Sequence, residues 1–139
     1  MIDLLTGIKN TSAALNAERT RIDVIGENIA NAQTTHGVGQ PYQRKIVVFE
    51  AALQQAMGGS DAGSSGITAR VQKDESPFQI VHMPTHRHAD ENGMVTLPNV
   101  NIHTEMVDLI AASRAYEANL AVVRNARTMA MQTLAIGKR

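Results

Sequence analysis

Ile8, Leu15, Ile22 and Ile29 recur every seven residues, and Leu5, Ala14, Ala17, Ile25 and Ala32 fill positions on the same side. Glu18, Arg19, Arg21 and Glu27 fall mostly off this stripe. The pattern has the period of an α-helix and predicts an amphipathic one from Leu4 to Ala32. At about 1.5 Å per residue it would be a rod of ~40 Å, long for a chain of 139 residues. A second pattern closes the chain. Ile102, Met106, Leu109, Ser113, Tyr116, Leu120, Val123, Arg127, Ala130 and Leu134 alternate at spacings of four and three. That is a heptad seam with polar intrusions at Ser113 and Arg127. Asn99 or Asn101 can cap its start, since an Asn side chain accepts from the free N–H groups of a first turn. Gly137, Lys138 and Arg139 resemble a helix end, with cations at the negative pole of the dipole.

Between the helices the pattern changes. Tyr42 to Glu50 (YQRKIVVFE) reads as a strand, rich in β-branched and aromatic residues. Ala51 to Met57 reads as a short helical turn and Gly58 to Gly66 (GGSDAGSSG) as a flexible loop. Ile67, Ala69 and Val71 alternate with Thr68, Arg70 and Gln72, as in a half-buried strand. Asp74 to Pro77 turns the chain, and Phe78 to His82 reads as a third strand. Ala89 to Gly93 is a second turn, and Met94 to Leu97 a fourth strand that Pro98 ends.

Two amphipathic helices at opposite ends of the chain have no nearer partner than each other. The sequence therefore predicts an α+β fold. Long N- and C-terminal amphipathic helices pack as an antiparallel coiled-coil-like pair, with a small central β region. Its segments are 1–35 (N-terminal helix), 36–98 (β-rich, with the loop at 58–66) and 99–139 (C-terminal helix). Two helices alone leave part of each stripe bare, and an amphipathic helix draws most of its stability from packing that face. The remainder is expected to meet other molecules, as in an assembly subunit. The expected packing residues are Ile8, Leu15, Ile22, Ile25 and Ile29 on the first helix. On the second they are Ile102, Met106, Leu109, Tyr116, Leu120, Val123 and Leu134. The competing expectation is a soluble helical-hairpin adaptor or chaperone-like binding module with both stripes satisfied.

Composition sharpens this picture at a few points. With two Phe, two Tyr and no Trp, the core must be aliphatic and Ala-rich. Thirteen basic side chains balance thirteen acidic ones, which argues against a nucleic-acid binder needing a basic face. Cysteine is absent, so there are no disulfides or thiolate metal sites. The first residues lack a basic stretch before an apolar core, so no cleaved secretory signal is expected. No apolar run approaches the ~20 residues that span a bilayer.

The stretch NIANAQTT (Asn28 to Thr35) then gains meaning. It resembles the Asn-Ile-Ala-Asn-x-x-Thr signature of bacterial flagellar axial proteins, the rod, hook and hook-associated subunits. Asn and Thr side chains bond nearby backbone groups and offer an alternative to continuing a helix. Leu15 to Thr35, Pro41 to Glu50, Ser76 to Pro84, Ala89 to Leu120 and Met129 to Lys138 are similar to proximal-rod members of that family. EMVDLIAASRAYEAN (Glu105 to Asn119) is the most specific block. The motif positions are Asn28, Ile29, Ala30, Asn31, Thr34, Thr35, Glu105, Met106, Asp108, Arg114 and Tyr116. Gln33, Gln43, Met94 and the His-rich stretch His82 to His88 depart from the family pattern.

The resemblance implies a structural subunit of the proximal rod, polymerising through its terminal helices into a torque-transmitting shaft and export channel. Implied partners are copies of itself, other rod and rod-adaptor proteins and the flagellar type III export apparatus. No nucleic acid, cofactor or direct membrane span is implied. The implied location is the basal-body rod across the periplasm, reached by export without a cleaved signal. In such proteins the C-terminal helix lies towards the central channel, so Arg124, Arg127, Thr128 and Gln132 are expected to line it, with Arg114, Asn119 and Asn125 near them.

Other chemistry finds little support. His82, His86 and His88 with Asp90 and Glu91 could be metal ligands by residue type, but loops with scattered His are far commoner than sites, and no metal is expected. No nucleophile elbow, phosphate-cradling loop or paired-carboxylate motif occurs, so the chain is not expected to be an enzyme. Arg44 and Lys45 are read either as contacts for acidic partners or as edge-strand charges that discourage aggregation.

Overall fold

The computed structural model describes residues 2–35, 39–51 and 67–137. Their elements run α1 (Ile2–Ala30), β1 (Lys45–Ala51), β2 (Ile67–Lys73), β3 (Gln79–His82), β4 (Met94–Leu97) and α2 (Ile102–Ile136). The expected loop at Gly58 to Gly66 lies outside the described residues, as does the expected turn beyond Ala51. Ala51 itself ends β1.

α1 ends at Ala30 as its ladder tightens, the Ala32 and Thr34 N–H groups donating to carbonyls three residues back. The Asn31 side-chain amide and its backbone N–H both donate to the Glu27 carbonyl, at 2.9 and 3.1 Å. Thr34 then donates its N–H to the Asn31 carbonyl at 3.0 Å, completing a tight exit turn. At the other helix Asn101 is the cap. Its backbone is extended, and its side-chain oxygen accepts from the N–H groups of His103 and Thr104.

The helices run antiparallel. Asn28 bonds Glu105, while Arg21, two turns earlier on α1, reaches Asp108, one turn later on α2. At about 1.5 Å per residue, α2 overruns the start of α1 by roughly one turn.

The least exposed line on α2 is Glu105, Leu109, Ala112, Tyr116, Asn119, Val123, Ala126 and Ala130. It shares Leu109, Tyr116, Val123 and Ala130 with the expected seam. In place of Met106, Ser113, Leu120 and Arg127 it takes the residue one position earlier. Ala112 is fully buried, and such small residues let two helix backbones approach closely. Leu120 and Ile102 lie half-buried beside the line, whereas Met106, Arg127 and Leu134 are exposed. On α1 the buried positions are Ala17, Val24, Ile25 and Asn28. The sevenfold row Ile8, Leu15, Ile22 and Ile29 is half-buried.

The strands form two separate antiparallel hairpins, β1–β2 and β3–β4. In the first, Val47 pairs with Val71 and Phe49 with Ala69. A lone two-stranded hairpin is marginal in water; this one gains support by lying against α1. Its alternation gives only partial cover, since Ala69 is half-buried while Ile67 and Val71 stay exposed. β1 begins at Lys45 rather than Tyr42 because the Arg44 N–H donates to the Asn99 side chain at 2.7 Å. The buried residues Val24, Ile25, Asn28, Ala32, Val95, Pro98, Val100 and Glu105 gather where α1 ends and α2 begins.

Candidate functional site

Two of the largest fully buried side chains are polar, Asn28 and Glu105, each 1% exposed. A carboxylate out of water costs many kcal/mol unless it is paired and hydrogen-bonded. Glu105 meets that demand. Arg44 donates Nε to its Oε1 at 2.7 Å, and Nη2 lies 2.7 Å from the same oxygen as an ion pair. Asn28 donates Nδ2 to its Oε2 at 3.1 Å. Glu105 also sits in the first turn of α2, where the helix dipole favours negative charge.

Asn28 is satisfied at every lone pair and proton. Its Nδ2 also donates to the Lys45 carbonyl at 2.7 Å. Its Oδ1 accepts from the Tyr42 hydroxyl and the Lys45 N–H, both at 2.9 Å. An amide supplies two donors and two acceptor positions, and all four are used.

Arg44 carries the network outward. Its Nη1 lies 3.2 Å from Asp74 at the end of β2, and its Nη2 lies 3.8 Å from Asp108. Asn99 closes the base. Besides accepting from the Arg44 N–H, it donates to the Asp74 carbonyl and to Ser76. Gln43 donates to the same Asp74 carbonyl at 2.8 Å. One polar latch thus joins the end of α1, the start of β1, the end of β2 and the start of α2.

The titratable groups feel this environment. The Tyr42 hydroxyl is pushed up to about 12 by burial, then by the Glu27 and Glu105 charges. Burial alone would lower the Arg44 guanidinium. The hydrogen bonds and charges of Glu105 and Asp74 outweigh it and hold the group above the usual arginine value. Asp74 is held below its usual value, first by the Ser76 N–H and further by the Ser76 hydroxyl and Arg44, against an opposing effect of burial.

Beside the latch lies a cleft of ≈140 Å³, floored by Val24, Ile25, Ile46 and Val47 with Arg21 and Asp108 among its polar lining. Its dimensions suit a side chain rather than a substrate. Among the described residues, no three His, Cys, Asp or Glu side chains are arranged to hold a metal. His86 Nδ1 accepts from the His88 N–H at 3.1 Å, and His88 Nδ1 pairs with the Thr35 hydroxyl at 2.9 Å. These imidazole nitrogens shape the loop.

The segments that carry Asn28 and Glu105 match known families. The family described as "Flagella basal body rod protein" matches residues 8–37. The family described as "Flagellar basal body rod FlgEFG protein C-terminal" matches residues 91–136. The flagellar basal-body rod protein FlgC of Bacillus subtilis is 37% identical, covering 92% of this chain and 94% of its own. FlgC of Borreliella burgdorferi is 39% identical over 96% and 97% of the two chains. FlgC of Salmonella typhimurium is 40% identical over 91% and 92%. The chain belongs to the FlgC family. It is a structural subunit of the flagellar basal-body rod.

Within this FlgC-family chain the motif positions divide by role. Asn28, Glu105 and Asp108 belong to the latch and its rim. Asn31, Thr34 and Thr35 build the exit turn, with Thr34 Oγ1 donating to Asn31 Oδ1 at 3.2 Å. Ile29 and Tyr116 are half-buried, while Ala30, Met106 and Arg114 are exposed. Arg124, Arg127, Thr128 and Gln132 are all exposed on the distal half of α2.

The sequence reading missed Arg44 as a latch residue. It is neither a free contact for acidic partners nor an edge-strand charge, because its charge is spent inside the molecule. Lys45 pairs with Glu27. The predicted seam held Met106 at this turn, so nothing in the row marked Glu105 as the partner that Arg44 and Asn28 would need.

Proposed function

We propose that this chain polymerises through its two terminal helices, 1–35 and 99–139, into the inner wall of the proximal rod. Segment 36–98 lies further out. The wall transmits torque and encloses an export channel. Its neighbours are copies of itself and other rod and rod-adaptor proteins. It reaches its place across the periplasm through the flagellar type III export apparatus, without spanning a membrane. No described helix is long and apolar enough to cross one.

The observation that carries this reading is a second row on α2. Val107, Ala111, Ala118, Val122, Met129 and Ile136 follow one side of the helix for ~43 Å, exposed and interrupted by Arg114, Asn125 and Gln132. A helix with one covered seam and a second bare one is built for a further helix. Val122 and Met129 are therefore subunit-packing residues, together with Met106 and Leu134, which the α1 contact leaves exposed. Ile8, Leu15, Ile22, Ile25, Ile29, Ile102, Leu109, Tyr116, Leu120 and Val123 pack both within the subunit and at its borders. Arg124, Arg127, Thr128 and Gln132 line the channel.

The test is the double variant Val122→Asp/Met129→Asp. The purified chain should keep its helix content, and cells carrying it should export it yet lack rods and motility. Normal rods in those cells would refute the reading. A high-resolution map of assembled rods decides the channel lining, since Arg124 and Arg127 packed against protein would remove them from it.

A further inference from the structure

Asn92 is one of nine asparagines and the one followed by glycine. It lies exposed in the turn between β3 and β4. Gly93 has φ +73, a conformation that L side chains rarely adopt. The turn is pinned by Asp90. Its Oδ1 accepts from the N–H of Asn92 at 2.9 Å and of Met94 at 2.8 Å. Its carbonyl accepts from the Gly93 N–H at 2.9 Å.

We propose that Asn92 is a spontaneous deamidation site whose rate is set by Asp90. The Gly93 nitrogen gives up its proton to solvent base and attacks Asn92 Cγ. The N–Cγ bond forms, the Cγ–Nδ2 bond breaks, and ammonia leaves. Water then opens the cyclic imide. Attack at Cγ gives aspartate; attack at the backbone carbonyl gives isoaspartate, with the main chain rerouted through the side chain. Gly93 permits the step because it has no Cβ to block the approaching carboxamide. The other eight asparagines precede residues with side chains, and Asn28, Asn31 and Asn99 also have their amides engaged.

Asp90 holds the reaction back. While the Gly93 N–H donates to the Asp90 carbonyl, its nitrogen is directed away from Cγ and its proton is retained. Reaction therefore requires the turn to open. The isoaspartate product lengthens the main chain next to a closely packed glycine: a Cβ on Gly93 would lie 3.0 Å from His82 Nε2 and 3.1 Å from Pro84 Cβ. It also displaces the Gly93 carbonyl that accepts from the Met83 N–H at 2.9 Å. The proposed modification site is thus also the closing turn of the β3–β4 hairpin.

The full chain is aged at neutral and mildly alkaline pH, and peptide masses are followed over time. Asn92 should convert, faster at the higher pH, while the other asparagines persist. Asp90→Ala keeps the carbonyl that accepts from Gly93 but removes both Oδ1 bonds that hold the turn shut, so the turn should open more often and conversion should speed about fivefold or more, the factor for losing even one net hydrogen bond. Amide exchange at Val81 and Val95 checks that the hairpin still forms in that variant. Asn92→Gln should keep the hairpin and stay unmodified. Persistence of Asn92 under alkaline ageing overturns the site. An unchanged rate in a still-folded Asp90→Ala variant overturns the role of Asp90.

Discussion

Asn28 shows how much one amide can hold. Truncating it to Ala leaves the Lys45 N–H, the Lys45 carbonyl and one oxygen of Glu105 without their partner. Each unsatisfied buried group costs about 1–3 kcal/mol, so Asn28→Ala should lose at least ~2 kcal/mol in denaturant unfolding. The two basic neighbours should differ sharply. Arg44→Met strands the buried Glu105 carboxylate and should cost about 3 kcal/mol. Lys45→Met removes a solvent-screened pair and should cost less than ~1 kcal/mol. Equal losses would show that Glu105 does not depend on Arg44.

Tyr42 gives the latch a pH signature. Its folded value of about 12 lies above the unfolded value of about 10. The folded state therefore retains the proton longer, and this contribution to stability is full below about pH 10 and disappears as pH rises towards 12. Asp74 has the opposite sign. Its lowered value stabilises the fold above the usual carboxylate range, and that contribution is lost as pH falls through the folded value. Phenolate absorbance in a Tyr116→Phe background follows Tyr42 alone and should show its late titration. Tyr42→Phe should flatten the alkaline slope in stability.

At the scale of elements, the choice of seam follows from size. The predicted seam placed Met106 and Ser113 inward, but the structure turns Glu105 and Ala112 there instead. Ala112 is fully buried, so added methylenes have nowhere to go. Ala112→Leu should cost about 1–3 kcal/mol through overpacking, read from thermal unfolding. Met106→Ala, on an exposed position, should leave the monomer nearly unchanged. Comparable losses from both would put the predicted seam back in place.

The whole molecule is uneven along its length. Its buried residues cluster at the latch end, while residues 131–136 of α2 are all exposed. Helical segments without tertiary cover are marginal in water, and local opening follows missing cover. Limited trypsin digestion of the unassembled chain should therefore cut first after Arg124 and Arg127, and last after Arg44. Assembly should reverse the order by protecting α2. Early cleavage at Arg44 would mean that the latch is open in the free subunit.

The sequence by itself determined that there are two long terminal helices, that they need each other, and that the middle is β. These follow from periodicity and composition, which act over a few residues and survive in any context. It also showed the exit turn in outline, because Asn31 and Thr34 bond their own neighbourhood. The tertiary structure alone decided which face of α2 meets α1 and what Asn28 and Glu105 do. Those two residues stand 77 positions apart and Arg44 stands 61 from Glu105. No local preference can report such a meeting. It exists only once the helices have paired, and desolvation then obliges each buried polar group to find the other.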